Sequence, residues 1–139
     1  TFNFDTGSGL FWIPTINCSY CSSTPHKYNY TSGGGAFSDS TCGVYYLDGS
    51  EASGKQMQFK YRLREMSFLR TEAVELTIFT KYADPYDGLV GLTPVEDPES
   101  DHLISQLYSN GLIPEAMFSI SFENLQGSSY IYFGGFEQE

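Results

Sequence analysis

A chain of 139 residues, 40% hydrophobic and 17% aromatic, carries enough apolar side chain for one packed domain, which excludes a disordered tail. Its net charge of −10 repels a phosphate backbone and so excludes nucleic acid as a partner. No apolar run approaches the roughly 18 residues of a membrane span, so no spanning helix is expected in this segment.

The first predicted element is a strand in which Phe2 and Phe4 alternate with polar neighbours, and it runs into Asp5-Thr6-Gly7-Ser8. A strand that delivers an aspartate straight into a Thr-Gly turn can hold a carboxylate at the edge of a sheet. Glycine permits the tight turn, and the Thr6 and Ser8 hydroxyls can hydrogen-bond to the carboxylate or to the turn. Taken alone, the tripeptide equally describes an Asx-type turn. Leu10-Phe11-Trp12-Ile13-Pro14 follows, with Trp12 seven residues after Asp5. Gly33-Gly34-Gly35 marks a loop. Tyr45-Tyr46 then leads into Leu47-Asp48-Gly49-Ser50 and out through Ser53-Gly54, the pattern of a hairpin.

Strands are predicted where Met57, Phe59, Tyr61 and Leu63 alternate with polar residues, and again at Val74, Leu76 and Ile78. Five of the seven basic residues (Lys55, Lys60, Arg62, Arg64, Arg70) fall in this stretch. Their alternation with Tyr61 and Leu63 reads as the solvent face of a strand rather than a binding patch. Tyr86-Asp87-Gly88-Leu89-Val90-Gly91-Leu92 comes next. A helix is predicted from about Ser100 to Asn110, with Leu103, Ile104, Leu107 and Tyr108 on one face. Ser100 or Asp101 would cap its start, Gly111 would end it, and His102 falls on its polar, surface part. Phe118, Ile120 and Phe122 predict a last strand pair with Ile131-Tyr132-Phe133-Gly134-Gly135. The expectation is one mainly β domain, residues 1–139, with a single helix late in the chain.

Cys18, Cys21 and Cys42 admit two readings. With His26 they could supply four zinc ligands, but the gap to Cys42 is far longer than a zinc knuckle allows. Two glycosylation sequons, at Asn17 and Asn29, point instead to an oxidising secretory route, in which the cysteines form disulfides. No metal is expected. The acidity suits a compartment of low pH.

Asp5-Thr6-Gly7-Ser8, Trp12, the Tyr46 hairpin, Leu89-Val90-Gly91 and the closing helix and strands, in this order, resemble the amino-terminal lobe of pepsin-like aspartic proteases from Phe2 to Phe136. The resemblance implies one lobe of a bilobal β fold. It implies that Asp5 is a catalytic aspartate supported by Thr6, Gly7, Ser8 and Trp12. It implies that Tyr46, Leu47, Asp48 and Gly49 form a flap over substrate, and that Leu89-Val90-Gly91 is the loop under which the catalytic segment threads. Cys18-x-x-Cys21 and Cys42 ahead of an Asp-Gly-Ser-Glu turn are most similar to the nepenthesin and plasmepsin V-like branch. The interval from Cys42 to Tyr46 is shorter than in nepenthesins, so no disulfide pairing follows.

The activity so implied is endopeptidase cleavage of a polypeptide substrate, with no cofactor, by a water held between two aspartates. No second Asp-Thr-Gly or Asp-Ser-Gly occurs. The chain is therefore expected to be an excerpt cut at both ends, whose partner is the carboxy-terminal lobe of the same protein and which is inactive alone. The expected location is the secretory pathway, either a lysosome- or vacuole-like compartment or outside the cell. Two further readings stay open: a non-catalytic binding module or inhibitor on the same fold, and a lobe that dimerises to pair two copies of Asp5.

Overall fold

The computed structural model describes residues 2–18, 21, 26–33, 36–63, 66–74, 86–94, 102–122, 127 and 129–136, with the backbone alone at 59–63 and 66–74. Among them the chain is mainly β, with eight strands and two helices. It divides into two compact units, residues 1–94 and 95–139.

The first unit is built on β1 (Asn3–Asp5), β2 (Phe11–Trp12) and β6 (Leu89–Gly91), in the order β1-β6-β2. Strand β6 pairs parallel with β1, Asp5 opposite Gly91, and antiparallel with β2, Trp12 opposite Leu89. The chain between β1 and β2 therefore passes around the end of β6. Backbone bonds clamp it there: Gly91 N donates to Leu10 O (3.0 Å), Leu92 N to Asp5 O (2.7 Å) and Thr93 N to Ser8 O (3.0 Å). A β-carbon on Gly91 would lie 2.4 Å from Gly9 C and 2.6 Å from Ser8 O. Both are backbone atoms that cannot yield, so this crossing requires glycine. The threading expected at Leu89-Val90-Gly91 is present.

Strands β3 (Ala36–Tyr45), β4 (Glu51–Leu63) and β5 (Met66–Val74) form an antiparallel meander. Tyr45 faces Glu51 across the tip of the first hairpin, and a bulge lies between Phe37 and Thr41. Met57 is buried and its neighbour Gln58 exposed, as the alternation predicts. The side chains of Phe59 to Arg70, and the positions of Leu76 and Ile78, lie outside what is described.

Trp12, Cys18, Cys21, Ala52 and Leu89 make one buried cluster, with Leu10, Cys42, Val44 and Tyr46 packed against it. Trp12 is 1% exposed. Burying an indole removes up to about 4–6 kcal/mol of apolar contact with water, so this residue anchors the cluster. Phe2 and Phe4 stay 44% and 40% exposed; β1 turns Asn3 and Asp5, not the phenylalanines, to its less exposed face.

One sequence expectation is corrected here. Gly33 belongs to a helical turn, α1 (Tyr30–Gly33), rather than to a loop. Asn29 starts it: its Oδ1 accepts from Thr31 N (3.1 Å) and Thr31 Oγ1 (2.6 Å), a local bond that outweighs the poor helix propensity of the sequence. The metal alternative fails as well. Cys18 and Cys21 are joined in a disulfide, which removes two of the thiolates, and His26 Nδ1 lies 3.0 Å from Asp87 Oδ1.

In the second unit, α2 (Leu103–Ser109) buries Leu103, Ser105 and Leu107. Tyr108 is 44% exposed, so the apolar face is narrower than predicted. His102 is the residue that precedes the first turn, without a side-chain cap bond. It is half-buried, and its Nδ1 is buried with no partner among the described residues, which corrects its expected surface position. Strands β7 (Phe118–Ser121) and β8 (Tyr130–Phe133) pair antiparallel, Ile120 opposite Ile131. Ile120 and Phe122 remain exposed, because a two-stranded sheet has few neighbours with which to cover a face.

Candidate active site

Asp5 is the last residue of β1, and its carboxylate is held by the turn that follows it. Gly7 N donates to Oδ1 (2.9 Å) and Ser8 Oγ to Oδ2 (2.5 Å). Both oxygens thus receive a donor from within three residues, which fixes the carboxylate plane. Thr6 is exposed, so Ser8 provides the hydroxyl that reaches the carboxylate.

Tyr46 stands where β3 enters the hairpin turn. Its N–H donates to Ser50 O (2.8 Å), and Gly49 N, with φ +82°, donates back to Tyr46 O (3.0 Å). A positive φ is the conformation that glycine adopts without cost. Along β3, Cys42, Val44 and Tyr46 alternate with the exposed Gly43, Tyr45 and Leu47, so Tyr46 takes the inward side of the hairpin. There Trp12 Nε1 donates to Tyr46 Oη (2.7 Å) across 34 positions of sequence.

Burial pushes the Tyr46 phenol above its ordinary value of 10.0, opposed by hydrogen bonding with Trp12 and Ser8 and reinforced by the charges of Asp5 and Asp48. The indole can only donate, so the Tyr46 oxygen is its acceptor, and the single Ser8 proton is directed at Asp5. One bond ties the hairpin to Trp12 and the other ties the turn to the carboxylate.

At the tip, Leu47, Asp48 and Gly49 are exposed. Asp48 Oδ1 accepts from Ser50 N (2.9 Å) and Ser50 Oγ (2.6 Å), and these two bonds, the hydroxyl's first, hold its carboxyl below the usual range. Ser50 was not among the predicted site residues; its signal is the Asp-x-Ser spacing of an Asx turn. Of the other predicted residues, Cys18 and Cys21 form a disulfide beneath the hairpin, and Cys42 of β3 carries a thiol. Asn17 and Asn29 are both exposed, and Asn17 Nδ2 donates to Tyr30 Oη (2.6 Å). Among the described residues no helix is long and apolar enough to cross a membrane.

Comparison with known proteins agrees with this arrangement. The family model described as "Eukaryotic aspartyl protease" matches residues 1–139. Rhizopuspepsin-1 of Rhizopus niveus is 33% identical over 149 residues, which cover 97% of this chain and 37% of that protein. An aspartic protease of Phaffia rhodozyma is 30% identical over 97% of this chain and 34% of its own length. Pepsin A of Rhinolophus ferrumequinum is 25% identical over 99% and 37%. The chain thus spans little more than a third of the relatives it matches. With every residue inside the family model, and with a tethered Asp5 beneath a tyrosine-bearing hairpin, the chain belongs to the eukaryotic aspartyl proteases.

Proposed function

We propose that the protein containing this chain is an aspartic-type endopeptidase in which Asp5 is one of two aspartates that share a water and a proton. One carboxylate takes a proton from the water as it attacks the scissile carbonyl; the other, protonated, donates to the carbonyl oxygen. Two carboxyls this close cannot both ionise, so the pair works in acid. Residues 1–139 act as the amino-terminal lobe, and the second aspartate lies in a carboxy-terminal lobe outside them. On this reading the isolated chain cleaves nothing. The observation that supports the role of Asp5 is its tethered carboxylate, one oxygen bonded by Gly7 N and the other by Ser8 Oγ, together with a hairpin whose Tyr46 is held by Trp12. Thr6, Gly7, Ser8 and Trp12 support the carboxylate, and Tyr46, Leu47, Asp48 and Gly49 close over a polypeptide substrate.

The flap also suggests a preference among substrates. The Ser50 bonds keep Asp48 ionised after ordinary carboxylates begin to protonate, and the residue is exposed at the tip. A lysine or arginine of the substrate beneath the tip would meet that charge. The buried disulfide and the sequons at Asn17 and Asn29 support a secreted or vacuole-like glycoprotein. Cys42 and the Asp48-Gly49-Ser50-Glu51 turn support a place near the nepenthesin and plasmepsin V-like branch.

The test is a pH–rate profile of the full-length protein on an unstructured peptide, with and without pepstatin. A maximum in acid, abolished by pepstatin and by Asp5→Asn, is expected. Activity that peaks above neutral pH, or that survives Asp5→Asn, refutes the assignment, and binding without turnover would favour a non-catalytic module.

A further inference from the structure

Away from the aspartate, three cysteines converge on one buried region. Cys18 and Cys21, 3% and 1% exposed, are joined in a disulfide within the cluster of Trp12, Ala52 and Leu89. Cys42 is a thiol that packs against the same cluster. It comes from a different element, β3, and lies on the same inward side of the hairpin as Val44 and Tyr46. A disulfide and a thiol presented to one cluster are the reactants of thiol–disulfide exchange.

We propose that Cys42 and the Cys18–Cys21 disulfide form an internal exchange unit, whose second isomer, Cys21–Cys42, ties the first flap strand to the segment after β2. The Cys42 thiolate attacks Cys21 Sγ, a Cys21–Cys42 bond forms as the Cys18–Cys21 bond breaks, and Cys18 leaves as a thiolate. That thiolate takes up the proton which Cys42 released. No oxidant or reductant is consumed.

Two features give the exchange its direction. Lys27 Nζ donates to Cys18 O (2.8 Å), which places a cation at the residue whose sulfur carries the departing negative charge. The existing bond closes a loop of sequence separation 3, whereas Cys21 and Cys42 are 21 positions apart. A cross-link over the longer loop restrains the unfolded chain more. Exchange needs a thiolate, so acid halts it and preserves whichever isomer is present. The isomer with Cys42 linked would keep the hairpin down against the Trp12 cluster and slow the lifting that substrate entry requires.

The consequence for turnover rests on the proposed role of the hairpin as a flap; the exchange itself does not. The full-length protein is incubated at pH 8 without added redox agents and quenched at pH 4. It is then unfolded in denaturant, labelled there with a dipyridyl disulfide and mapped by mass spectrometry without reduction. Label is expected on Cys42 at the start, and afterwards on Cys18, whose share rises at least about threefold together with a Cys21–Cys42 linked peptide. Lys27→Met should slow that rise, and Cys42→Ser should leave Cys18 unlabelled throughout. Label confined to Cys42 after every incubation, or Cys42 linked to a cysteine beyond residue 139, overturns the exchange. Turnover should fall as the linked peptide accumulates; unchanged turnover overturns the restraint on the flap. The same map is read on the Asp5→Asn protein, so an absence of peptidase activity counts against the proposed function alone.

Discussion

Tyr46→Phe removes one oxygen and tests the bond that braces the hairpin against Trp12. Trp12 is 1% exposed, and its indole N–H is bonded to Tyr46 Oη at 2.7 Å. Loss of the acceptor leaves a buried donor unpaired, which costs about 1–3 kcal/mol. Tyr46 is only half-buried, so water can partly replace the oxygen, and the lower half of that range, about 1–2 kcal/mol, is expected. For a domain of 150–250 residues this lowers Tm by about 2–8 °C. The pH dependence has a definite sign. The folded phenol titrates above 10.0, so its contribution is complete below that pH and is lost as pH rises through the folded value. Tyr46→Phe should therefore flatten the alkaline fall in stability and leave its acid side unaltered. The assay is thermal unfolding of the full-length protein at fixed scan rate, with Trp12→Phe and the double variant completing a cycle. In the cycle Tyr46→Phe should cost much less once the indole is gone. Equal costs of Tyr46→Phe with and without Trp12, or a wild-type-like Tm, would show that the bond does not brace the hairpin.

Three other outcomes are expected. Gly91→Ala should destabilise by about 3 kcal/mol or more and yield little folded protein, because its β-carbon would meet backbone at 2.4 Å; wild-type yield and Tm would contradict the threading. Asp48→Asn should lower kcat/KM for a peptide with lysine near the cleaved bond by a factor of roughly two to five and leave an uncharged analogue unaffected, read as the ratio of the two at acid pH. The isolated 139-residue chain should show no peptidase activity at any pH, whereas Asp5-dependent cleavage by a monomer would refute the need for a second aspartate.

The sequence by itself determined the local features, because their causes lie within a few residues. Asp5 receives donors from Gly7 and Ser8, Asp48 is held by Ser50, and the alternation along β3 and β4 decides which side chains turn inward. The helix near 103–109 follows from spacing of the same short range. Resemblance supplied the roles; periodicity did not. Only the tertiary structure decided what depends on residues far apart in the chain. Asp5 meets Gly91, and Trp12 meets Tyr46, through pairings that no local pattern encodes. Cys18 joins Cys21 rather than Cys42, although sequence left all the pairings open. Phe2 and Phe4 alternate like core residues yet stay exposed, since burial depends on what packs against a face and not on the period of that face. His102 shows the converse: a position that looked like surface holds a buried ring nitrogen, because the start of a helix takes its environment from the chain packed around it.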